Sequence, residues 1–246
     1  MDIIKKLAQE LAIKEEQAKA AVQLIDEGNT IPFIARYRKE MTGALNDETL
    51  RNLHERLLYL RNLEEKKEQV INAITDQGKM TEDLKKKILS AETLVAVDDL
   101  YRPYRPKKQT RATKAKEKGL EPLANILLLQ KTTKSMEEEA AAFVNAEKGV
   151  ANAKEAIAGA KDIIAEMIAD MADYRKSIRN CTMKQGSLVV KAKDEKAESV
   201  YEMYYDFREP LSKVTGYRVL AINRGEKEKF LTVKVEAPDV QIVKQW

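Results

Sequence analysis

Apolar residues recur along most of this chain at helical spacing. Ile3, Leu7 and Leu11 define one short amphipathic helix, and Ala18, Val22 and Ile25 a second, which Gly28-Asn29 ends. Thr30, with Pro32 just inside, opens a third through Phe33, Ile34 and Tyr37. Three short helices share the outline of a helix-turn-helix, but their apolar spacing reads more simply as packing units. Asn46 caps a long helix running to about Gln77 and stopped at Gly78. Its Leu50, Leu53, Leu57 and Leu60 share a frame with Ile71 and Ile74, which Glu64 and Lys67 interrupt. Thr81 starts a helix to about Ser90, and Leu94 to Leu100, Leu120 to Leu129 and Met136 to Val144 are further apolar segments.

From Val150 the pattern is the most regular in the chain. Val150, Ala153, Ile157, Ala160, Ile164, Met167, Met171, Tyr174, Ile178 and Cys181 alternate steps of three and four. This predicts one long helix over residues 150–184 with an unbroken apolar seam, either a coiled-coil face or, given Ala153, Gly159 and Ala160, a central helix packed inside the domain. Beyond it the period changes. Ala197 to Phe207 is expected to be a helix bearing Tyr201, Tyr204, Tyr205 and Phe207, broken by Arg208-Glu209-Pro210. Another helix is expected around Arg218 to Arg224. Phe230 to Glu236 alternates apolar and polar residues as a strand does, and Ser187 to Lys193 is a second strand candidate. One or two short strands do not form a stable sheet unaided, so this end reads as leading into, or lending a strand to, a further domain.

Composition agrees with a mainly α fold: a multi-helix N-terminal region, a long central helix, and one or two short β-strands near the C-terminus. Charged residues are 34% of the chain and apolar residues 43%, while glycine (9) and proline (6) are scarce. The expected divisions are a short-helix unit at 1–45, a helical core at 46–185 and a helix-strand segment at 186–246. A single cysteine, Cys181, excludes an internal disulfide framework, and the single histidine, His54, excludes a His-pair metal site. His54 lies beside Leu53 and Leu57 and reads as a helix-surface or core-edge residue. The amphipathic start is too polar for a signal peptide, and no apolar run suffices to span a bilayer, so a reducing cytoplasm is the expected location.

Net charge is only +4, yet Tyr101 to Lys118 holds eight basic residues against Glu117. These are Arg102, Arg105, Lys107, Lys108, Arg111, Lys114, Lys116 and Lys118. Tyr101 and Tyr104 lie in the same stretch, where Pro103 and Pro106 argue against helix from Tyr101 to Pro106. Lysine and arginine neutralise phosphates with counterion release, and unpaired bases stack on aromatic rings. The strip therefore points to nucleic acid, unless it is merely a solvated arm. A second, smaller cluster is Arg36, Arg38 and Lys39 around Tyr37, with Glu40 adjacent and Asp26 and Glu27 near in sequence as candidate neutralising partners. Asp98-Asp99 is a carboxylate pair beside the strip, read as helix capping or pairing with Arg102 rather than as a metal site. No phosphate-cradling glycine loop, metal-ligand cluster or nucleophile–base pair is visible, so no catalytic residue, metal or cofactor is assigned.

Four segments, in order from end to end of the chain, resemble the Tex family of bacterial transcription accessory proteins. They are GNTIPFIARYRKEMTGALND (28–47), LVAVDDLYRPYRPKKQTRATKAKEKGLEPLA (94–124), AIAGAKDIIAEMIAD (156–170) and YDFREPLSKVTGYRVLAINRGEKE (205–228). Thr215-Gly216-Tyr217 departs from the Pro-Ser-His-like approach usual in the family. The resemblance implies the helical N-terminal region of such a protein. An RNase H-like domain, a helix-hairpin-helix region and a C-terminal oligonucleotide-binding fold, the main RNA-binding element, would follow it. On that basis the chain is expected to be a non-enzymatic module that binds RNA or other single-stranded nucleic acid through the phosphate backbone, with little sequence specificity. The alternative is a helical scaffold docking onto RNA polymerase or another protein, using the aromatic run Tyr201 to Phe207 and the outward faces of the long helices. The other implied partners are the absent C-terminal modules themselves.

Overall fold

A computed structural model describes residues 2–106, 108–239 and 242. The chain divides into two units, the first extending through Pro106 and the second lying beyond it. The first consists of α1 (Ile3–Leu11), α2 (Glu15–Asp26), α3 (Ile31–Tyr37), α4 (Lys39–Thr42), α5 (Asp47–Asp76), α6 (Glu82–Ser90) and α7 (Leu94–Tyr101), then a 3-10 turn at Arg102–Tyr104. Local chemistry sets the helix starts. The side chains of Asp2, Asn46, Thr81 and Thr93 each accept a backbone N–H three residues on, satisfying a donor that has no partner inside the helix.

The long helix α5 organises this unit. Leu50, Leu53, Leu57, Leu60, Leu63, Val70 and Ile74 are buried along one side of it. Leu7, Leu24, Ile34, Ile88 and Val97 from the shorter helices join them in one core. Gly78 ends α5 in the left-handed region (φ +66°), where the N–H groups of Gly78 and Lys79 return to the carbonyls of Thr75 and Ile74 at 2.8 and 3.2 Å. The expected interruption at Lys67 is not one. Lys67 lies in the seam, 2% exposed, and its ammonium donates to Glu64 Oε1 and to the Leu89 carbonyl, each at 2.9 Å.

The segment Tyr101 to Pro106 also departs from expectation. Tyr101 completes α7, and Arg102 to Tyr104 continue as a 3-10 turn. Pro103 sits in the first turn, where a missing N–H costs nothing, and the extended geometry forced on a residue before proline appears at Arg105 instead (φ −65°, ψ 133°).

The second unit holds α8 (Arg111–Glu117), α9 (Glu121–Leu129), α10 (Met136–Ala141), α11 (Ala153–Asp170), α12 (Ala172–Gln185), β1 (Ser187–Ala192), β2 (Asp206–Pro210), α13 (Gly216–Lys227) and β3 (Leu231–Glu236). Its helical core joins Ala112 and Ala115 of α8, Leu123 and Ala124 of α9, and Ala156, Ala160 and Ile163 of α11. The strands form one antiparallel sheet in the order β2-β1-β3, with Val190 opposite Phe207 on one side and Val233 on the other. Its core is Leu188, Val190, Tyr201, Tyr204, Ile222 and Leu231. The mainly α fold with short strands near the C-terminus is thus as the sequence implies.

Two particulars differ. The helix expected over 150–184 is two helices, because Met171 takes an extended conformation (φ −74°, ψ 116°). Neither proline nor glycine marks the break; Arg175 Nη1 reaches back to the Ala169 carbonyl at 3.3 Å and satisfies one group freed by it. The apolar seam also loses its cover there, since Met167, Met171 and Ile178 are exposed. The helix expected at Ala197 to Phe207 is replaced by a 3-10 turn at Glu202–Tyr204 and by β2, which ends at Pro210. Pairing of Asp206–Pro210 with β1 recruits the segment into the sheet, an interaction across about 20 residues that overrides its local helical pattern.

Candidate nucleic-acid interface

The structure divides the basic strip between the two units. In the first, Tyr101 and Tyr104 are half-buried and lean on the core, and Gln77 Nε2 donates to the Tyr104 carbonyl at 2.9 Å. Arg105 is exposed, but its Nη2 donates to Asp98 Oδ1 at 3.0 Å and its guanidinium lies 5.5 Å from the Tyr101 ring centroid. Asp98 is also 3.7 Å from Lys66 Nζ. Arg102 is exposed as well, whereas Asp99 is buried. Much of the charge and ring surface read from this stretch is therefore turned to the protein itself. Lys107 lies outside the described residues.

In the second unit Lys108 is exposed, and α8 arranges the rest. Thr110 and Thr113 exchange hydrogen bonds as a capping box at its start, with Thr113 N–H to Thr110 Oγ1 at 3.1 Å and Thr110 N–H to Thr113 Oγ1 at 2.7 Å. Ala112 and Ala115 face α11. Arg111, Lys114 and the C-cap residue Lys118, spaced by three and four residues, follow one exposed flank of α8 that borders a groove against α11. Arg111, with a side chain 87% exposed, has Nε 3.6 Å from Asp162 Oδ1. Lys114 has no carboxylate partner among the described residues. Lys118 Nζ donates to the Gly149 carbonyl at 2.8 Å, and Lys116 turns away to Glu121 at 3.2 Å.

These side chains rim a groove of about 270 Å³ with Ala115, Leu120 and Val150 in its floor and Glu155 and Asp162 opposite. The turn closing the groove is built by backbone bonds between Asn145 and Val150 (3.0 and 2.9 Å). It carries Lys148, whose Nζ stands 3.6 Å from the point where a Cβ on Gly119 would be. Sequence reasoning missed Lys148 because it lies 30 residues from the strip; the Asn145 turn signal near it was the only available clue. Glu155 spends its carboxylate on the Ala151 N–H (2.9 Å), capping α11, which leaves it fewer acceptor positions for the groove.

The smaller cluster lies at the junction of α3 and α4, where Arg38 (φ −129°, ψ 27°) links the two helices. Arg36, Tyr37, Arg38, Lys39, Glu40 and Met41 line an open depression of about 590 Å³. The expected neutralising partners are engaged elsewhere. Asp26 receives both Nη groups of Arg61 at 2.7 Å, and Glu27 accepts from Gln23 at 3.0 Å. The Arg61 hydrogen bonds hold the Asp26 carboxyl below its ordinary pKa, and Arg56 does the same to Glu10. A carboxylate with a depressed folded pKa contributes stability above its unfolded pKa, and that contribution is lost as pH falls through the folded value. Thermal melts should therefore show the first unit weakening as pH drops from about 5 to 3. Asp26→Asn should flatten part of that loss while costing only about 0.5 kcal/mol at neutral pH, as partly exposed pairs do.

Taken by fold and surface, this is a mainly helical module that presents cationic side chains to solvent from two separate units. Residues 1–75 match the Tex-like protein N-terminal domain, and residues 131–245 the Tex central region. The chain belongs to the Tex family. The strip falls between these two matched regions, and the Arg36–Lys39 cluster within the first. Transcriptional accessory protein Tex of Neisseria gonorrhoeae is 40% identical over 250 residues, covering all of this chain and 32% of that protein. Protein tex of Bordetella pertussis is 43% identical over 235 residues, 95% of this chain and 30% of its own length. Human S1 RNA-binding domain-containing protein 1 is 33% identical over 248 residues, 97% of this chain and 24% of its own. The chain spans about a third of the length of its bacterial relatives. Among the described residues, no helix is long and apolar enough to cross a membrane.

Proposed function

We propose that this chain is a non-enzymatic nucleic-acid-binding module of a transcription accessory factor, and that it grips the phosphate backbone with α8. The observation that carries this reading is the alignment of Arg111, Lys114 and Lys118 along one exposed side of that helix, with Lys148 beside them. Exposed, weakly paired cations can exchange their counterions for phosphates with little rearrangement. The names of the Neisseria and human relatives, one a transcriptional accessory protein and the other an S1 RNA-binding domain-containing protein, support the same class. Nothing in α8 offers a base-reading set, so binding is expected to depend on charge and little on sequence.

The Arg105 end of the strip contributes less, because Asp98 already neutralises it. The scaffold alternative loses one of the two surfaces assigned to it: Tyr201 and Tyr204 are 5% exposed and belong to the core of the sheet region, with Tyr205 and Phe207 packed against it.

The test is a fluorescence-anisotropy titration of single-stranded RNA against the chain at several salt concentrations. Replacing Arg111, Lys114 and Lys118 together with Ala should lower affinity at low salt by tenfold or more. It should also reduce the log–log salt slope by about 2 units, at roughly 0.7 for each phosphate that is no longer neutralised. Equal affinity and slope for the variant and the parent would reject the reading.

A further inference from the structure

The junction of α3 and α4 combines two features that a solvated loop does not need. One is charge: Arg36, Arg38 and Lys39 face a single adjacent carboxylate, Glu40, and none of the three has an ion-pair partner among the described residues. The other is an aromatic ring left in water. Tyr37 is 65% exposed, and Met41 beside it is more than half exposed. Exposing a ring of this size forgoes the free energy its burial would yield.

The ring is nonetheless held. Phe33, one turn back on α3, places its ring centroid 5.2 Å from that of Tyr37 at an interplanar angle of 45°. Arg38 lies over Phe33 at 5.0 Å, and its Nη1 donates to the Tyr37 carbonyl at 3.1 Å. Arg38 therefore braces the platform, while Arg36 and Lys39 remain as the cations that could meet a ligand. A braced ring with one side supported and the other open to a cationic depression suits a ligand with a flat apolar surface and negative charge beside it.

We propose that Tyr37 is a stacking platform for one unpaired base of a single-stranded nucleic acid, with Arg36 and Lys39 receiving its flanking phosphates. This deepens the reading that the chain binds nucleic acid, but it assigns a second site in the other unit, independent of α8. It also supplies what α8 lacks, a means of preferring single strands, because in a duplex the base faces are stacked on one another. An acidic or phosphorylated peptide would satisfy the cations but would make no use of the exposed ring.

The experiment measures single-stranded and duplex oligonucleotides of equal length against the parent chain, Tyr37→Ala, Tyr37→Phe, and the α8 triple-alanine variant. Tyr37→Ala should weaken single-strand binding about tenfold, with the salt slope unchanged and duplex binding altered less than twofold. Tyr37→Phe keeps the ring and should bind like the parent. Ultraviolet cross-linking of an oligonucleotide bearing 5-iodouracil should label Tyr37. If Tyr37→Ala binds single strands as the parent does while the α8 variant does not, the platform is wrong and the α8 reading stands. Equal losses for single strand and duplex would also overturn it, leaving a site for phosphate alone. If the parent chain binds neither oligonucleotide, both readings fall. The high exposure of Tyr37 makes its replacement safe for folding, which a thermal melt of each variant verifies.

Discussion

Replacing Lys67 with Glu should unfold the first unit at roughly 20 °C below the parent, whereas Lys67→Met should cost little. The side chain occupies the central stripe of α5 between Leu63 and Val70, and its ammonium donates to Glu64 and to the carbonyl of Leu89 near the end of α6. A glutamate there would put two carboxylates together and turn an acceptor toward another acceptor. An uncompensated charge in such a site costs about 3–5 kcal/mol, and 1 kcal/mol lowers the melting temperature of a domain near 100 residues by about 4–8 °C. Methionine keeps the length and apolar stem. Glu64 is partly exposed and can return to water, so the loss should be about 1 kcal/mol. Circular-dichroism melts of the two variants separate these outcomes. Equal stability of Lys67→Glu and the parent would show that the ammonium is not confined as described.

The second large effect is expected at Gly159. Helix α11 approaches α8 so closely there that a Cβ would stand 2.4 Å from Leu120 Cδ1 and 3.3 Å from the Ala115 Cβ. Leu120 is itself fully buried, so relieving that contact would disturb the packing around it. Gly159→Val should therefore destabilise the second unit by about 3 kcal/mol through overpacking, or roughly 10 °C in its melt. Gly159→Ala sets a smaller clash against a helix-propensity gain near 1 kcal/mol and should fall between the two. Because Gly159 also lines the cationic groove, the valine variant should lose nucleic-acid affinity along with stability. A variant that melts like the parent would mean that α8 and α11 can separate freely.

Much of the fold was legible because local chemistry dictated it. Asn46 and Gly78 bracket α5 in the sequence and do so in the structure, and Thr81 caps α6 as its position suggested. Two of the failures share one cause. Lys67 looks like a break in a seam until α6 brings the Leu89 carbonyl to it, across 22 residues. The aromatic run at Tyr201 to Phe207 has a helical rhythm, yet β1 draws its end, from Asp206, into an edge strand. The break at Met171 has no marker in the sequence, since the apolar spacing runs through it unchanged.

The candidate sites divide in the same way. Cationic residues and the tyrosines among them could be read directly, as could the likeness of the surrounding segments to one family. Which of those charges remain available was decided by ion pairs between elements distant in sequence. Asp26 stands near Arg36, Arg38 and Lys39 in the chain but is claimed by Arg61, 35 residues away, leaving that cluster open. Asp98, on α7, instead neutralises Arg105 within the strip. Sequence by itself determined where the helices begin, which sides are apolar and where positive charge collects, because those properties follow from neighbours a turn or less away. Only the tertiary structure decided which cations face water and which face carboxylates, because a charge pairs with whatever packing brings within a few ångströms.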